Sequence, residues 1–171
     1  MEQDERDNLD RVVYFAKDFG KQYVCWKASM AIVKESDVLS VTISNNFFDM
    51  ALLCWGHFFG NRSDELHYTN VLAQPDQFKS YLIDNLGINE NDWNNNWLQL
   101  KDFRDKRIAH FDSDVSVVVP GMELAFECVK AYHDEALKRL KECDPLYEIE
   151  PDFDAKHERY ELKIKGILGC V

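Results

Sequence analysis

The sequence predicts an all-α fold, an antiparallel helical bundle, on the basis of three observations. Apolar residues recur at three- and four-residue steps in several long segments, as they do in amphipathic helices. The few strand-like runs have no neighbouring run with which to pair. The chain has 171 residues, of which 46% are hydrophobic, and this suits one domain with a sizeable core. We assign the bundle, with a short inserted helix, to residues 1–145, and an irregular tail that packs on the bundle or on a dimer partner to residues 146–171.

The first two helices follow from apolar periodicity. Apolar residues from Leu9 to Tyr23 recur with the helical period, and we extend this helix to about Lys34. The next helix begins after an N-cap at Asp37 or the preceding serine and ends at Gly60, and its many apolar positions predict deep burial. Its first turns have some strand propensity, but helix is favoured because no alternating partner strand follows.

A connector and a short helix precede the fourth predicted helix. Residues 61–73 predict an irregular connector whose apolar side chains lie over the core. Pro75 and Gly87 frame a short helix, because proline favours the first helical turn and glycine the position after the last. Asn89 or Asn91 then caps the next helix. The core stripe of that helix is Trp93, Trp97, Leu100, Phe103, Ile108 and Phe111.

The C-terminal third contains one further clear helix. Residues 112–120 break the helical period, and their valine-rich part is strand-like but isolated, so we expect a buried connector or a short ribbon. From Met122 to about Cys143 the apolar period is the cleanest in the sequence and predicts a helix. After Pro145, acidic and apolar side chains are mixed, and helix, strand and dimer arm all stay open.

Composition limits the compartment and the kind of partner. The acidic N-terminus has no apolar run behind it, and no apolar stretch approaches the length of a membrane span, so we expect a cytoplasmic protein with no membrane partner. Five scattered cysteines without close pairs predict reduced thiols that are mostly packed in the core. A formal net charge of −11 argues against broad nucleic-acid binding, which normally relies on a basic surface.

One segment, residues 100–112, concentrates charge, a histidine and aromatic anchors. Arg104 offers a permanently charged donor fork that suits phosphate oxygens, and His110 can exchange a proton near neutral pH. Between positions 101 and 110, four basic residues against two acidic ones predict a local positive patch in an acidic protein. The candidate RNA-binding members of this patch are Lys101, Lys106 and Arg107.

The string RDKRIAHFD, at residues 104–112, resembles the motif of the HEPN superfamily and, within it, of abortive-infection-type HEPN-like proteins. That motif is an arginine, a polar residue and a histidine a few residues further on; here five residues separate Arg104 from His110. The segment LCWGHFFG at residues 53–60, followed by His67 and Tyr68, is similar to a second pattern of the same family.

The resemblance implies a helical bundle that often dimerises and, in active members, a metal-independent endoribonuclease. It implies phage defence or a toxin-antitoxin system as the setting, RNA as the substrate, an antitoxin protein as a partner, and no cofactor. Arg104 and His110 are then the catalytic residues, and Asp105, at the polar position of the motif, orients one of them.

The expected chemistry favours a homodimer. His110 would deprotonate the ribose 2′-hydroxyl or protonate the leaving 5′-oxygen, while Arg104 stabilises charge on the phosphorane. One histidine per chain does not readily serve as acid and base at once, so we expect a two-fold axis to set two motifs in one cleft. In an ideal helix six residues turn through about 600°, which leaves Arg104 and His110 about 120° apart. Convergence therefore needs the long Arg104 side chain to wrap round the helix, or the helix to bend or end near His110. Arg107 lies closer to the face of His110 and could substitute for or assist Arg104.

A second interpretation stays open. The basic residues can form a solvated face, with His110 at a helix C-terminus, where a cation is favoured. The protein is then a non-catalytic interaction or nucleotide-binding module with a structural motif.

The remaining histidines are given no role in chemistry. A metal site at Cys54, His57 and His67 is disfavoured, because their aromatic surroundings indicate core packing. His133 and His157 lie among charged residues and are predicted to face solvent.

Overall fold

Seven α-helices and two π-helical turns make up the regular structure of residues 3–31, 33, 37–109, 119–147 and 153–167, which are the residues that the computed structural model describes. The all-α bundle is therefore confirmed. In chain order the helices are α1 (Gln3–Met30), α2 (Val38–Trp55), α3 (Tyr68–Val71), α4 (Pro75–Leu86), α5 (Glu90–Arg104), α6 (Glu123–Cys143) and α7 (Phe153–Ile167). The turns are π1 (Gly56–Gly60), which continues α2, and π2 (Asp105–Ala109), which continues α5.

The helix caps predicted at Asp37, Gly87 and Asn89 are confirmed. The Asp37 side chain accepts a hydrogen bond of 3.1 Å from a backbone N–H in the first turn of α2. Pro75 begins α4, and Gly87 ends it in the left-handed conformation with φ 63°, which glycine adopts without strain. Asn89 and Asp92 form a capping box at the start of α5. These caps are local interactions, which is why the sequence alone locates them.

The core is centred on α1, which packs against α2 on one side and against α6 and α7 on others. Leu9, Val12, Ala16 and Phe19 of α1 are completely buried. The predicted connector lies over this core as expected, and the Tyr132 hydroxyl of α6 donates a hydrogen bond of 3.1 Å to a connector carbonyl. Its buried apolar residues are Leu66, Tyr68, Val71 and Leu72.

Three predicted boundaries are corrected. The first helix ends at Met30 rather than near Lys34, which lies outside the described residues. The second helix does not continue as an α-helix to Gly60, because the backbone widens into π1 at Gly56. The connector is not wholly irregular, since it contains the single turn of α3. Of residues 112–120, where a connector or ribbon was expected, residues 112–118 lie outside the described residues.

The irregular tail is also corrected, because much of it forms α7, which packs on α1. Phe153 is buried, and its ring centroid is 4.0 Å from that of His157. A methyl group added at Gly20 of α1 would overlap the His157 imidazole, so His157 of α7 packs against α1 at a position without a side chain. The helical period of Phe153, His157, Tyr160 and Ile164 is visible only when a histidine is counted among the inward-facing residues.

The prediction that His133 and His157 face solvent is wrong. Both side chains are buried, with 2% and 5% of their area exposed. The His133 ring lies 5.0 Å from that of Phe153, and its Nδ1 pairs with Asp134 Oδ1 at 2.9 Å. Charged neighbours in the sequence do not determine which face of a helix packs inward, which explains why local composition misled the prediction.

The helical segment Val38–Gly60 also corrects the expectation that no stretch approaches a membrane span. It has 23 residues and a mean hydropathy of 1.2, so by length and composition alone it is long and apolar enough to cross a membrane. In the bundle one side of this segment is a core face, with Phe48, Leu52 and Trp55 buried.

Candidate functional site

Arg104, the last residue of α5, extends across the surface of π1. A methyl group added at Gly56 would lie 2.9 Å from Arg104 Nη1, and one added at Gly60 would lie 2.6 Å from the same atom. Both positions must therefore lack a side chain for the guanidinium to lie where it does. Only 18% of the Arg104 side chain is exposed.

Asp105 holds the donor fork of Arg104. Its Oδ1 accepts hydrogen bonds from Arg104 Nε at 2.9 Å and from Nη2 at 2.6 Å, and its Oδ2 accepts one from Lys101 Nζ at 2.6 Å. Burial by itself would raise the pKa of Asp105, but the hydrogen bonds from Lys101 and Arg104 outweigh it, so the pKa lies below its ordinary value. Asp105 is therefore a carboxylate at neutral pH, in contact with two cations.

Two π-helical turns meet at this arginine. Arg104 packs on π1, and Asp105 is the first residue of π2, so the backbone of α5 widens within the motif. Trp97 makes a second contact between α5 and π1, because its indole N–H donates a hydrogen bond of 2.6 Å to the Phe59 carbonyl of π1. Single π-helical turns are rare and occur often at functional sites. A π turn also changes the angular spacing of side chains, and such a change is one way in which the arginine and the histidine of the motif can converge.

Lys106 and Arg107 lie beside the arginine and have carboxylate partners of their own. Lys106 Nζ is 2.8 Å from Asp102 Oδ2 on the exposed side of the helix. Arg107 Nε is 3.5 Å from Asp49 Oδ1 of α2, and the Arg107 guanidinium lies 5.6 Å from the centre of the Phe103 ring. Burial raises the pKa of Asp49, and Arg107 partly offsets this.

The charge around the motif is more balanced than the sequence predicted. The local sequence count included two aspartates, and the fold adds a third from α2, which lies far away in the chain. Four cations therefore face three carboxylates, a formal balance of +1. The cations are Lys101, Arg104, Lys106 and Arg107, and the carboxylates are Asp49, Asp102 and Asp105.

His110 lies outside the described residues, as does Phe111 of the predicted core stripe. The contact between Arg104 and Asp105 that the motif suggested is present, but the geometry between Arg104 and His110 stays a prediction.

The residues of the disfavoured metal site have other neighbours. His57 Nδ1 pairs with Asp64 Oδ2 at 2.7 Å, and the His57 ring is half exposed. His67 Nδ1 lies 2.7 Å from the Thr69 hydroxyl, and burial lowers the pKa of His67. Burial, and then the nearby Asp18, raise the pKa of the Cys54 thiol to about 12. Within the described part of the chain, no three His, Cys, Asp or Glu side chains are arranged to hold a metal ion.

The His57–Asp64 pair was not predicted from the sequence. Its two residues are joined across π1 and the following connector, and neither the π turn nor the loop geometry has a periodic signal.

A separate groove of about 670 Å³ lies between α4 and α6. Apolar Phe78 and Leu82 contribute to its lining, and the charged residues beside them include Glu135 and Arg139, which pair with each other at 2.9 Å.

Comparison of the chain with protein-family models, with curated proteins and with solved structures found no match. The functional argument therefore rests on the motif and on the geometry around Arg104.

Proposed function

We propose that the protein is a HEPN-type, metal-independent endoribonuclease in which Arg104 holds the scissile phosphate. The observation that carries this proposal is the guanidinium of Arg104, fixed by Asp105 at the meeting point of two π-helical turns. A charged fork in a set orientation is the group that a developing phosphorane needs. A surface role alone would not require two glycines and a change of helix type around one side chain.

The reaction is an internal transesterification of RNA. The ribose 2′-oxygen forms a bond to phosphorus as its proton passes to a histidine base, and the bond from phosphorus to the 5′-oxygen breaks as that oxygen takes a proton from an acid. The products are a 2′,3′-cyclic phosphate and a free 5′-hydroxyl. His110 supplies one of these proton transfers, and His110 of a second copy in a homodimer supplies the other.

Lys101 and Asp105 act on the phosphate through Arg104. Asp105 orients the fork and is itself held by Lys101, so a bound phosphate competes with this carboxylate for the same cations. Lys106 and Arg107 would contact neighbouring phosphates. A local formal balance of +1 predicts recognition of a few phosphates at one place rather than broad nucleic-acid binding.

The test is RNA cleavage by the purified protein in EDTA, with analysis of the product ends. Wild type is expected to leave cyclic phosphate ends, and His110→Ala and Arg104→Lys are expected to cut at most about a hundredth as fast. Arg104→Lys keeps the charge and loses the fork, which separates orientation from charge. Arg139→Lys is the matched control, because Arg139 is similarly enclosed and also pairs with a carboxylate, on α6 and outside the motif.

Thermal unfolding of each variant separates lost chemistry from lost structure. Absence of cleavage by wild type on a broad panel of RNAs, with every variant folded, would overturn the proposal.

As a second candidate, the protein is a non-catalytic interaction or nucleotide-binding module. The same motif is then a structural element. The observation that favours it is the pairing of all four cations of the motif region with carboxylates. On this view Arg104 joins α5 to π1 and has no role in chemistry. Arg104→Lys would then lower the unfolding temperature while no RNA is cut by any form of the protein.

A further inference from the structure

The outward side of α2 is an exposed apolar stripe. Leu39, Ile43, Met50 and Leu53 are 67%, 42%, 45% and 37% exposed, although α2 is otherwise a core helix. Asn46 lies among them and is also exposed. We call these five residues the α2 stripe. Exposed apolar side chains scattered singly are ordinary, but a row along one helix, interrupted here only by Asn46, indicates a surface that another apolar surface covers.

The spacing of the stripe is that of a helix-pairing seam. Its five residues follow one another at steps of four, three, four and three, which is the heptad pattern of positions that meet a second helix. Asn46 occupies the central position. A polar residue at the centre of such a seam fixes register, because an asparagine side chain can both donate to and accept from its counterpart.

Charge favours a second copy of this chain over other apolar surfaces. Between Val38 and Gly60 there is no lysine or arginine, and the only carboxylate is Asp49, which pairs with Arg107. A chain of net charge −11 repels its own copies over most of its surface. The electrostatic repulsion between two copies is therefore weakest where they meet through an uncharged face. A lipid surface would instead favour lysine or arginine beside the apolar row.

We infer that the α2 stripe binds the α2 stripe of a second copy, with the two helices antiparallel about a two-fold axis near Asn46. Asp49 lies one turn from Asn46 and contacts Arg107, so this axis passes close to π2 in both copies. The inference names the surface of the homodimer that the proposed function requires, and it rests on that function only for the shared cleft.

The stripe is small for a permanent dimer. From Leu39 to Leu53 a helix rises about 21 Å, and one such helix pair buries less than the roughly 800 Å² per partner of a standard interface. We therefore expect a reversible dimer with a dissociation constant in the micromolar range.

Analytical ultracentrifugation of the full chain over a range of concentrations tests the inference without RNA. Wild type is expected to shift from monomer to dimer with concentration, and Met50→Glu to weaken dimerisation by at least about tenfold, because it places a carboxylate at the seam of an acidic protein. Leu98→Glu is the matched control, since Leu98 is exposed on α5 outside the stripe. It is expected to dimerise as wild type does.

Three outcomes would overturn the inference. In the first, the wild type stays monomeric at several hundred micromolar, and in the second, it forms a dimer that Met50→Glu leaves intact. In the third, the protein is a monomer that binds neutral phosphatidylcholine vesicles through the stripe, and Met50→Glu abolishes that binding. The enzyme proposal fails separately. A dimer that Met50→Glu disrupts but that cuts no RNA removes the enzyme and keeps the interface. A dimer that cuts RNA and that Met50→Glu leaves intact removes the interface and keeps the enzyme.

Discussion

Arg104 occupies the space that a side chain at Gly60 would fill. A methyl group at Gly60 would lie 2.6 Å from Arg104 Nη1 and 3.1 Å from a ring carbon of Trp55, so it has contacts on two sides. The guanidinium, the glycine and the π turn around it therefore form one structural unit, and a change to any of them displaces the others.

Gly60→Ala is expected to destabilise the protein and to reduce cleavage at the same time. The added methyl group must push away either Arg104 or Trp55, and overpacking of this kind costs about 1–3 kcal/mol in the free energy of unfolding. Urea unfolding measures this loss. Gly166→Ala is the control, because a methyl group at Gly166 of α7 meets no atom within 4 Å. Equal stability of Gly60→Ala and wild type would contradict the close packing of Arg104 on π1.

Asp105→Asn is expected to change RNA binding and RNA cleavage in opposite directions. Removing the carboxylate frees Lys101 and Arg104 for phosphate, so the affinity for a short RNA should rise severalfold, and the salt dependence of binding should steepen. Cleavage should fall, because Arg104 loses the group that orients it. Fluorescence anisotropy over a salt series measures binding, and end-group analysis measures cleavage. A parallel fall in both would show that Asp105 contributes to folding instead.

Gly20 and His157 should show strong energetic coupling. Gly20→Ala is expected to destabilise the docking of α7 on α1, because the new methyl group overlaps the His157 ring. His157→Ala removes that ring, so the double variant should lose less stability than the two single changes together, with a coupling of about 0.5–3 kcal/mol. A double-mutant cycle in urea supplies the value. Additive losses would mean that α7 does not dock through this contact.

His67 predicts a loss of stability on mild acidification. Its pKa is lowered by burial, so between the folded and unfolded pKa values the unfolded chain binds more protons. The stabilising contribution of neutral His67 is present above about pH 6.5 and is lost as the pH falls from there toward the folded pKa. His67→Asn keeps a side chain that can cap α3 and removes the titration.

The difference in unfolding free energy between wild type and His67→Asn, measured from pH 7.5 to 5, isolates this effect. The binding of one extra proton by the unfolded chain changes the free energy of unfolding by at most about 1.4 kcal/mol per pH unit. A difference that does not vary with pH would contradict the prediction.

Local interactions were predictable from the sequence, and contacts between distant segments were not. Asp37, Gly87 and Asn89 mark helix ends through bonds within a few residues, so their roles could be predicted. The pairing of Asp49 with Arg107 joins two helices far apart in the chain, and it changed the charge balance that the motif alone suggested. No periodic signal marks a π turn, so the environment of Arg104 could not be predicted.

Buried histidines were the other source of error. Their neighbours in the sequence are charged, and only the packing of α6 and α7 around Phe153 turns His133 and His157 inward. The sequence left helix, strand and dimer arm open for the tail. The period of α7 decides for helix only when His157 is counted among the inward-facing residues.

The hydrogen bond from Trp97 to the Phe59 carbonyl gives the motif an optical reporter of its own. The indole and Arg104 both rest on π1, so a ligand that moves the guanidinium also moves the carbonyl to which the indole is bonded. Indole emission depends on the polarity and hydrogen bonding around its N–H. Occupancy of the arginine is therefore expected to change the contribution of Trp97, one of four tryptophans, to the light that the unlabelled protein emits.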